Sequence, residues 1–297
     1  DTFGMKGRAQ ENSFHLKLAA DWILESQKCH TDGGSASHYA HSGWLHSFPE
    51  TTGYIIPSLI RYSTYCGDKI YLDAATRMGN FLTDVQLESG AFQGGNLSAE
   101  EKVPTLFNTG QILFGLCALY KETKEEKFLE AAKRAGNWMC DTQDEDGCWR
   151  KGLSPYADQI PHAYNVRAAW ALLKLHELDP DPKYLECNQK NVEWTLNQQN
   201  ELGWFSQNSF YEGQDPFTHN IGYVFRGVLE SGIHTSNQQW INRIKTGMDQ
   251  LLNKLKPNGT FAARYDAQWN SKDSSSCLTG NLQLGIILGK LYQLFPE

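Results

Sequence analysis

The sequence predicts an all-α fold in which helical hairpins repeat around a ring, an α/α toroid of five or six pairs. The first reason is a glycine that recurs every 56 or 57 residues along almost the whole chain. The second is that helix-patterned segments alternate between two kinds, one apolar nearly all round and one amphipathic and charged. Such a long-range repeat is typical of a repeating architecture. The recurring glycines are Gly33, Gly90, Gly147, Gly203 and Gly259.

Each recurring glycine has companions at fixed positions. A large apolar residue and, five positions later, a glutamine precede it, as at Trp138 and Gln143, and an aromatic residue follows it, as at Trp149. Further along each cycle the apolar segments carry small residues, as at Gly110 and Gly115. Glycine lowers helix stability by roughly 0.5–1 kcal/mol relative to alanine, so we expect these positions to let neighbouring inner helices approach closely.

The two kinds of segment give the predicted elements in order, with amphipathic outer helices alternating with apolar inner helices. The outer helices are predicted at 14–27, 71–86, 125–143, 184–198 and 239–255. The inner helices are predicted at 53–65, 109–120, 165–177, 221–231 and 279–294. Closure of the ring would pair the two ends of the chain; the alternative is a six-pair ring whose first elements precede this sequence. No linker interrupts the repeat, so residues 1–297 are predicted to form one domain.

The loops that lead from an outer to an inner helix are the predicted functional region. They run to roughly 20 residues and hold most of the His, Trp, Tyr and Gly residues outside helices, whereas the inner-to-outer links are short and polar. Long ordered loops of a compact domain usually carry function. All five emerge on one rim, where the N-termini of the inner helices converge. That convergence makes the rim mildly electropositive and suited to an anionic ligand.

Composition limits the function classes. A net charge of −7 disfavours nucleic acid or an anionic membrane surface as the main partner, and no apolar run is long enough to predict a transmembrane span. The sequence opens with Asp1 rather than Met, so we expect a processed or truncated start, and periplasmic, secreted and cytoplasmic locations stay open. The seven cysteines lack CxxC spacing and are expected to be buried thiols, with a disulfide between Cys29 and Cys277 as the alternative. No pattern predicts a metal or a cofactor.

Three of the turns carry a recognisable motif, Gln86-x3-Gly90-x-Phe92, Gln143-x3-Gly147-x-Trp149 and Gln199-x3-Gly203-x-Phe205. They resemble the Q-x3-G-x-W motif of the terpenoid cyclase and prenyltransferase toroids, in which the motif is structural. The DxDD-like signature that protonates the polyprene in those cyclases has its nearest counterpart at 144–147, Asp-Glu-Asp-Gly, which lacks the final Asp. No CxxC pair supports a zinc-dependent prenyltransferase. The resemblance implies the fold and leaves a terpenoid cyclase-like enzyme as one alternative.

The same toroid is similar to that of carbohydrate-active proteins: unsaturated uronyl hydrolases, toroidal polysaccharide lyases and repeat proteins encoded with exopolysaccharide pathways. An aromatic- and His-rich rim suits sugars, whose apolar faces stack on Trp and Tyr. This resemblance implies an enzyme that cleaves an acidic, uronate-containing polysaccharide or oligosaccharide in the cleft at the N-terminal ends of the inner helices, by β-elimination or hydrolysis. A non-catalytic glycan-binding or polysaccharide-assembly protein that uses the same cleft is the alternative from another class.

The strongest catalytic pattern lies at the start of the fourth inner helix. His219, Tyr223 and Arg226 stand at i, i+4 and i+7 and share one helix face. His and Tyr together can remove and return a proton while Arg holds a carboxylate, as elimination from a uronic acid requires. The structural alternative is that His219 caps the helix while the other two side chains pack between helices. The preceding cycle repeats these residue types at 162–167, His-Ala-Tyr-Asn-Val-Arg.

Carboxylates in the rim loops offer the rival chemistry, because two of them suitably separated can hydrolyse a glycosidic bond. The candidates are Glu50, Glu101, Asp158, Asp215 and Asp266, and Asp215 is the strongest because it immediately precedes the His219 helix. The loop 37–46 holds three histidines at a spacing that matches no recognised metal site. The predicted catalytic set is His219, Tyr223, His162, Asn165 and Asp215, and the predicted substrate-binding set is Arg226, Arg167, Tyr164, Arg264, Trp269 and Asn108.

Overall fold

The computed structural model describes residues 10–296, which form ten α-helices, a 3-10 turn and one two-stranded ribbon. The outer helices are α1 (Asn12–Lys28), α3 (Ile70–Val85), α5 (Glu126–Thr142), α7 (Pro182–Leu196) and α9 (Gln238–Leu252). The inner helices are α2 (Pro49–Cys66), α4 (Leu106–Thr123), α6 (Val166–His176), α8 (Thr218–His234) and α10 (Leu278–Leu294). The 3-10 turn (Ala163–Asn165) leads into α6, and β1 (Tyr39–Ala40) pairs with β2 (Gly43–Trp44) in the first rim loop. Outer and inner helices alternate in the predicted order, so the all-α toroid is confirmed.

Three inner helices begin a turn earlier than the sequence predicts. α2 starts at Pro49, α4 at Leu106 and α8 at Thr218. Pro49 suits the first turn of a helix, because its fixed φ matches the helix and its missing N–H is not needed there. As a consequence Glu50 lies in the first turn of α2, and the prediction that it belongs to a rim loop is wrong.

The glutamines of the repeat join each turn to the next outer helix. Gln143 Nε2 donates to the carbonyl oxygens of Gly147 at 3.0 Å and Cys187 at 2.9 Å, the latter on α7. Gly147 has a φ of +87°, and a Cβ there would overlap the Lys190 carbonyl group. Glycine therefore allows the turn and the helix to meet closely. Gln27, Gln86 and Gln199 make equivalent pairs of bonds, to Gly33 and Ala74, to Gly90 and Ala131, and to Gly203 and Arg243.

The fifth turn lacks this connection. Leu255 stands four residues before Gly259, where the second, third and fourth turns have glutamine, and its aliphatic side chain cannot donate to a carbonyl group. Gly259 keeps a φ of +79°, but a Cβ added to it would meet no described atom within 4 Å. The same backbone turn thus occurs once without a helix packed against it, which separates the effect of backbone conformation from the effect of close packing.

Small residues set the spacing of the inner helices. A Cβ at Gly115 of α4 would overlap the Gly53 carbonyl of α2, and a Cβ at Gly110 would overlap Ala168 of α6. The predicted close approach is confirmed at these contacts. Gly285 of α10 differs, because a Cβ there would meet no described atom within 4 Å.

The inner helices form an open arc. They pack in the order α2, α4, α6, α8 and α10, each against its neighbours, with the hydrophobic core between the inner and outer layers. Within residues 10–296, α2 and α10 do not pack on each other as neighbouring inner helices do. Both leave large side chains exposed, Tyr54 and Tyr65 on α2 and Leu278 and Leu282 on α10. The expectation that the two chain ends close the ring is therefore wrong for this part of the chain.

The cysteine side chains are all free thiols, but the expectation that they are buried holds only for Cys117, Cys148 and Cys187 and is wrong for the exposed Cys29 and Cys66. The alternative of a disulfide between Cys29 and Cys277 is not realised. Cys29 Sγ donates to the Ser26 carbonyl oxygen at 2.9 Å, and Cys277 Sγ lies 3.5 Å from Nδ1 of His219. No helix in the described part of the chain is long and apolar enough to cross a lipid bilayer.

Candidate functional site

The inner helices enclose a groove lined by aromatic and charged side chains. Phe107 of α4 and Tyr223 of α8 meet with ring centroids 5.2 Å apart, although α6 lies between these helices in the arc. Their side chains therefore project inward and meet across the interior. We call this space the central groove. Its lining residues include Glu50, Tyr54, Phe107, Gln111, Phe114, Arg167, Trp170, Tyr223 and Arg226.

Arg167 is the cation at the centre of this groove. Its Nε donates to Gln111 Oε1 at 2.8 Å, and its guanidinium carbon lies 5.1 Å from the ring centroid of Tyr223 and 5.7 Å from those of Phe114 and Trp170. Burial lowers the pKa of Arg167, but an arginine stays protonated at neutral pH. Among residues 10–296 it forms no ion pair with a carboxylate. Arg167 is thus a largely buried positive charge whose terminal nitrogens have no partner in the described part of the chain and can bind an anion.

Arg226 lies on α8, about one turn after Tyr223, and its environment differs from that of Arg167. Its Nε is 2.6 Å from Glu230 Oε1, which also lies 3.0 Å from Lys290 Nζ of α10. Its guanidinium carbon is 5.1 Å from the Trp170 ring. Arg226 therefore already has a carboxylate partner within the protein, and its predicted role in holding a substrate carboxylate is weaker than that of Arg167.

Glu50 brings a carboxyl group into the same groove. Burial raises its pKa to about 7, and the positive charge of Arg167 offsets this effect only in part. Within the described residues its carboxylate takes part in neither an ion pair nor a hydrogen bond. The charge of Glu50 in turn contributes to raising the pKa of Tyr54, Tyr164 and Tyr223. Glu50 is therefore a carboxyl group that changes protonation near neutral pH.

His219 and Tyr223 lie together on the groove side of α8, with ring centroids 5.6 Å apart. His219 stacks on Phe217 at 5.5 Å, and its Nδ1 is 3.5 Å from Cys277 Sγ, which leaves Nε2 for a ligand. Burial lowers the pKa of His219 to about 4 and raises the pKa of Tyr223 to about 12. At neutral pH the pair is therefore a neutral imidazole, able to accept a proton, beside a protonated phenol.

The preceding cycle contributes to the groove wall. His162 and Asn165 are 2% and 5% exposed. His162 Nε2 lies 3.0 Å from the Asp158 carbonyl oxygen, its ring stacks on Tyr164 at 4.8 Å, and burial lowers its pKa. The Tyr164 ring meets Phe107 at 5.5 Å. Such buried side chains offer little surface to a substrate, so the structure places this predicted catalytic set behind the groove surface.

The other predicted substrate-binding residues occupy three different environments. Trp269 is 1% exposed, and its Nε1 donates to the Leu202 carbonyl oxygen at 2.8 Å, so the structure contradicts its assignment to a sugar-contacting surface. Arg264 stacks 3.9 Å over the ring of Phe217, the same ring that stacks on His219. Asn108 is a buried residue of α4.

The predicted rim carboxylates do not join His219. Asp215 and Asp266 line a separate cavity of about 620 Å³, to which no residue of the central groove contributes. Asp266 accepts the backbone N–H groups of Gln268 and Asn270, and Asp158 accepts that of Glu212, so both carboxylates hold loop backbone. Glu101 is exposed. The structure therefore separates Asp215 from the constellation to which the sequence assigned it.

The acidic turn at 144–147 is occupied by a protein cation. Asp144, Asp146 and Cys148 bring their ligand atoms within 4.8 Å of one another. Arg150, however, lies 3.2 Å from Asp144 and 2.7 Å from Asp146, and it holds the pKa of Asp146 well below its usual range. Because both carboxylates are ion-paired, this turn supplies neither a proton donor nor free metal ligands. The histidines of loop 37–46 converge on no common point in the described structure.

Sequence reasoning missed Gln111, Phe114 and Trp170 and undervalued Glu50. A signal for Glu50 exists, because Glu50, Phe107 and Tyr164 are spaced 57 residues apart and occupy equivalent places in successive cycles. A position that lines the groove in one cycle is expected to line it in the others.

A family model described as the squalene-hopene cyclase C-terminal domain matches residues 52–229, more than half of the chain. The chain belongs to this family. The matched segment contains Arg167 and Tyr223 of the groove, whereas Glu50 lies just before it. No curated protein sequence matches the chain.

Solved structures with the same fold cover nearly the whole of this family member. The Lin0763 protein from Listeria innocua is 18% identical with a TM-score of 0.71, over 96% of this chain and 80% of that one. A cellobiose 2-epimerase from Spirochaeta thermophila is 16% identical with a TM-score of 0.69, over 93% and 82%. An unsaturated glucuronyl hydrolase specific for heparin is 12% identical with a TM-score of 0.61, over 95% and 97%. At these identities the likeness shows the α/α toroid fold.

Proposed function

We propose that this protein is a carbohydrate-active enzyme that binds and cleaves an acidic, uronate-containing glycan in the central groove. The observation that carries the proposal is Arg167, a largely buried guanidinium without a carboxylate partner in the described residues. A buried charge is costly unless it is paired, and a ligand that supplies a carboxylate can form charge-assisted hydrogen bonds with its terminal nitrogens.

The aromatic lining supports a sugar as the rest of that ligand. Phe114, Trp170 and Tyr223 surround Arg167, and Phe107 packs on Tyr223. Aromatic faces offer the apolar contact that pyranose rings use, while the hydroxyl and amide groups nearby supply hydrogen bonds. Structures similar to this chain include a cellobiose 2-epimerase and an unsaturated glucuronyl hydrolase, which agrees with a glycan substrate.

The same groove is poorly suited to terpenoid cyclisation, although the family name refers to a cyclase. Aromatic rings can stabilise a carbocation, but the guanidinium of Arg167 sits among those rings and would repel one. The acidic turn at 144–147 is also ion-paired to Arg150. Both features favour an anionic ligand over a cationic intermediate.

β-Elimination is the reaction we propose. Neutral His219 removes the proton on the carbon α to the uronate carboxylate, and those electrons form the new double bond as the β C–O bond breaks. The departing oxygen takes a proton from the Glu50 carboxylic acid. Arg167 balances the carboxylate charge that would otherwise oppose removal of the α-proton, and the protonated Tyr223 phenol donates a hydrogen bond to the negative charge that builds up on the substrate. The proton on His219 then returns to Glu50 through solvent, which restores both groups.

Hydrolysis is the second candidate, because a carboxyl group with a raised pKa also suits a general acid at a glycosidic oxygen. Hydrolysis by the usual route needs a second carboxylate at a suitable distance. In the described groove Glu230 is the other carboxylate near the lining, and it is held by Arg226 and Lys290. Elimination needs only one carboxyl group, so it fits this groove better than hydrolysis does.

The test is activity of the whole chain on polygalacturonate, hyaluronan and alginate, with mannan as the neutral control. Ultraviolet absorbance of an unsaturated uronate identifies elimination, and new reducing ends without that absorbance identify hydrolysis. Binding without turnover supports the non-catalytic alternative. We expect His219→Ala and Tyr223→Phe to stay folded and to lower turnover by roughly 100-fold or more. Exposed His15 and Tyr65 give matched controls, His15→Ala and Tyr65→Phe.

A further inference from the structure

Glu50 and Arg167 share the groove without forming an ion pair. Each influences the ionisation of the other, but their atoms do not reach ion-pair distance, and Arg167 instead donates to Gln111. The titratable groups that face Glu50 from the surrounding elements are Tyr54 on α2, Tyr164 in the 3-10 turn, Arg167 on α6 and Tyr223 on α8. α4 contributes the uncharged Phe107 and Gln111. Among residues 10–296, Glu50 therefore has one cationic neighbour and no anionic one.

A carboxylate bound at Arg167 would disfavour the ionised form of Glu50 in two ways. It cancels part of the positive charge that favours ionised Glu50, and it adds a negative charge that disfavours it. We propose, on the basis of the function proposed above, that uptake of an acidic sugar by the central groove is coupled to protonation of Glu50. The complex then holds the sugar carboxylate, the Arg167 cation and a neutral Glu50 that can donate a hydrogen bond.

The sign of the pH dependence follows from this linkage. In the free protein Glu50 titrates at a pKa of about 7, and in the complex it titrates higher. Affinity is therefore greatest below pH 7, where Glu50 is already protonated, and falls as pH rises above about 7, by at most about tenfold per pH unit for one proton. His219 and Tyr223 titrate at about 4 and about 12, outside this window. The uronate itself stays ionised throughout.

The experiment is isothermal titration calorimetry of the full chain with methyl β-D-glucuronide and with trigalacturonate, at half-unit steps from pH 6 to pH 9. Measurements in two buffers of different ionisation enthalpy count the protons taken up. We expect uptake approaching one proton per ligand near pH 8, and no uptake with methyl β-D-glucoside. Glu50→Gln is expected to bind without proton uptake and with an affinity that no longer depends on pH. Exposed Glu101 gives the matched control, Glu101→Gln.

The outcomes separate this inference from the proposed function. Uronate binding without proton uptake in the unaltered protein would overturn the coupling and leave the acidic-glycan groove standing. Undiminished uptake in Glu50→Gln would overturn the assignment to Glu50. Failure of both uronates to bind at every pH would overturn both proposals. If Glu50→Gln does not fold, infrared difference spectra of the unaltered protein replace it: a carboxylic acid band that grows on adding trigalacturonate supports the coupling, and no growth overturns it.

Discussion

The repeat turns and the central groove use similar residue types in opposite ways. In the turns, each glutamine amide bridges two carbonyl groups, and Asp144 and Asp146 share Arg150 as counter-ion. In the groove, Gln111 Nε2 is buried without a partner, and Arg167 and Glu50 have no ion partner in the described residues. Satisfied polar groups stabilise a fold, whereas unsatisfied ones lower stability and are retained where a ligand completes them.

The largest loss of stability is expected when the glycine of a repeat turn is replaced. Gly147→Ala should lower the free energy of unfolding by about 3–5 kcal/mol, because alanine disfavours a φ of +87° and its Cβ would overlap the Lys190 carbonyl group. Gly259→Ala is the matched control, since it has the same strained φ with no neighbour, and about 1 kcal/mol is expected there. Urea unfolding of both variants measures the difference. Equal losses would show that close packing contributes nothing to the turn.

The next largest effect is expected on the affinity of the central groove for a uronate. Arg167→Met should weaken uronate binding by about 100-fold, because the ligand carboxylate loses its counter-charge, while the fold is retained. Arg150→Met serves as the comparison, since it removes an arginine that already has two partners on the surface. Calorimetric affinity and melting temperature are measured on both proteins. Unchanged affinity in Arg167→Met would remove the basis of the proposed function.

A smaller loss of stability is expected when a connection between a turn and a helix is cut. Gln143→Ala should lower the free energy of unfolding by about 2 kcal/mol, because two carbonyl groups lose their donor. Leu255→Ala, at the equivalent place in the fifth turn, should change it by less than about 0.5 kcal/mol, since its side chain is exposed. Chemical denaturation provides the measurement, and similar values for the two variants would contradict the special role of the glutamine.

The smallest predicted change has the opposite sign. The folded-state pKa of Glu50 lies above its unfolded value, so its effect on stability is favourable at low pH and is lost as pH rises towards and through about 7. Glu50→Gln should therefore raise the free energy of unfolding by about 1 kcal/mol at pH 8.5 and leave it almost unchanged at pH 4. Denaturant unfolding at the two pH values tests this. A loss of stability at pH 8.5 would place Glu50 with the structural residues of the turns.

The fold could be predicted because its determinants are local and repeated. Gln143 and Gly147 lie four residues apart, and the same pair recurs in other cycles, so one chain supplies several observations of the same turn. Helix starts were harder to predict. Pro49 interrupts the apolar pattern ahead of α2, although it is a favourable first residue of a helix.

The site was only partly predictable, because its geometry depends on which side chains meet across the interior. His219 and Tyr223 were found from helical spacing on one element. The relation of Glu50 to Arg167 links α2 to α6, which are separated by α4, and no local pattern reports it. Trp269 shows the converse error, since an aromatic residue in a loop looks like a ligand contact until the loop is seen to fold over it.

The open arc also has a mechanical consequence. Four interfaces join the five inner helices in series, from α2 to α10, and each helix packs chiefly on its immediate neighbours. A change in the distance between α2 and α10 is therefore distributed over the four interfaces between neighbouring inner helices. A small rotation at each interface adds up to a large change in groove width. The packing order therefore predicts that a change in groove width is distributed over all the inner helices and is not concentrated at a single hinge residue.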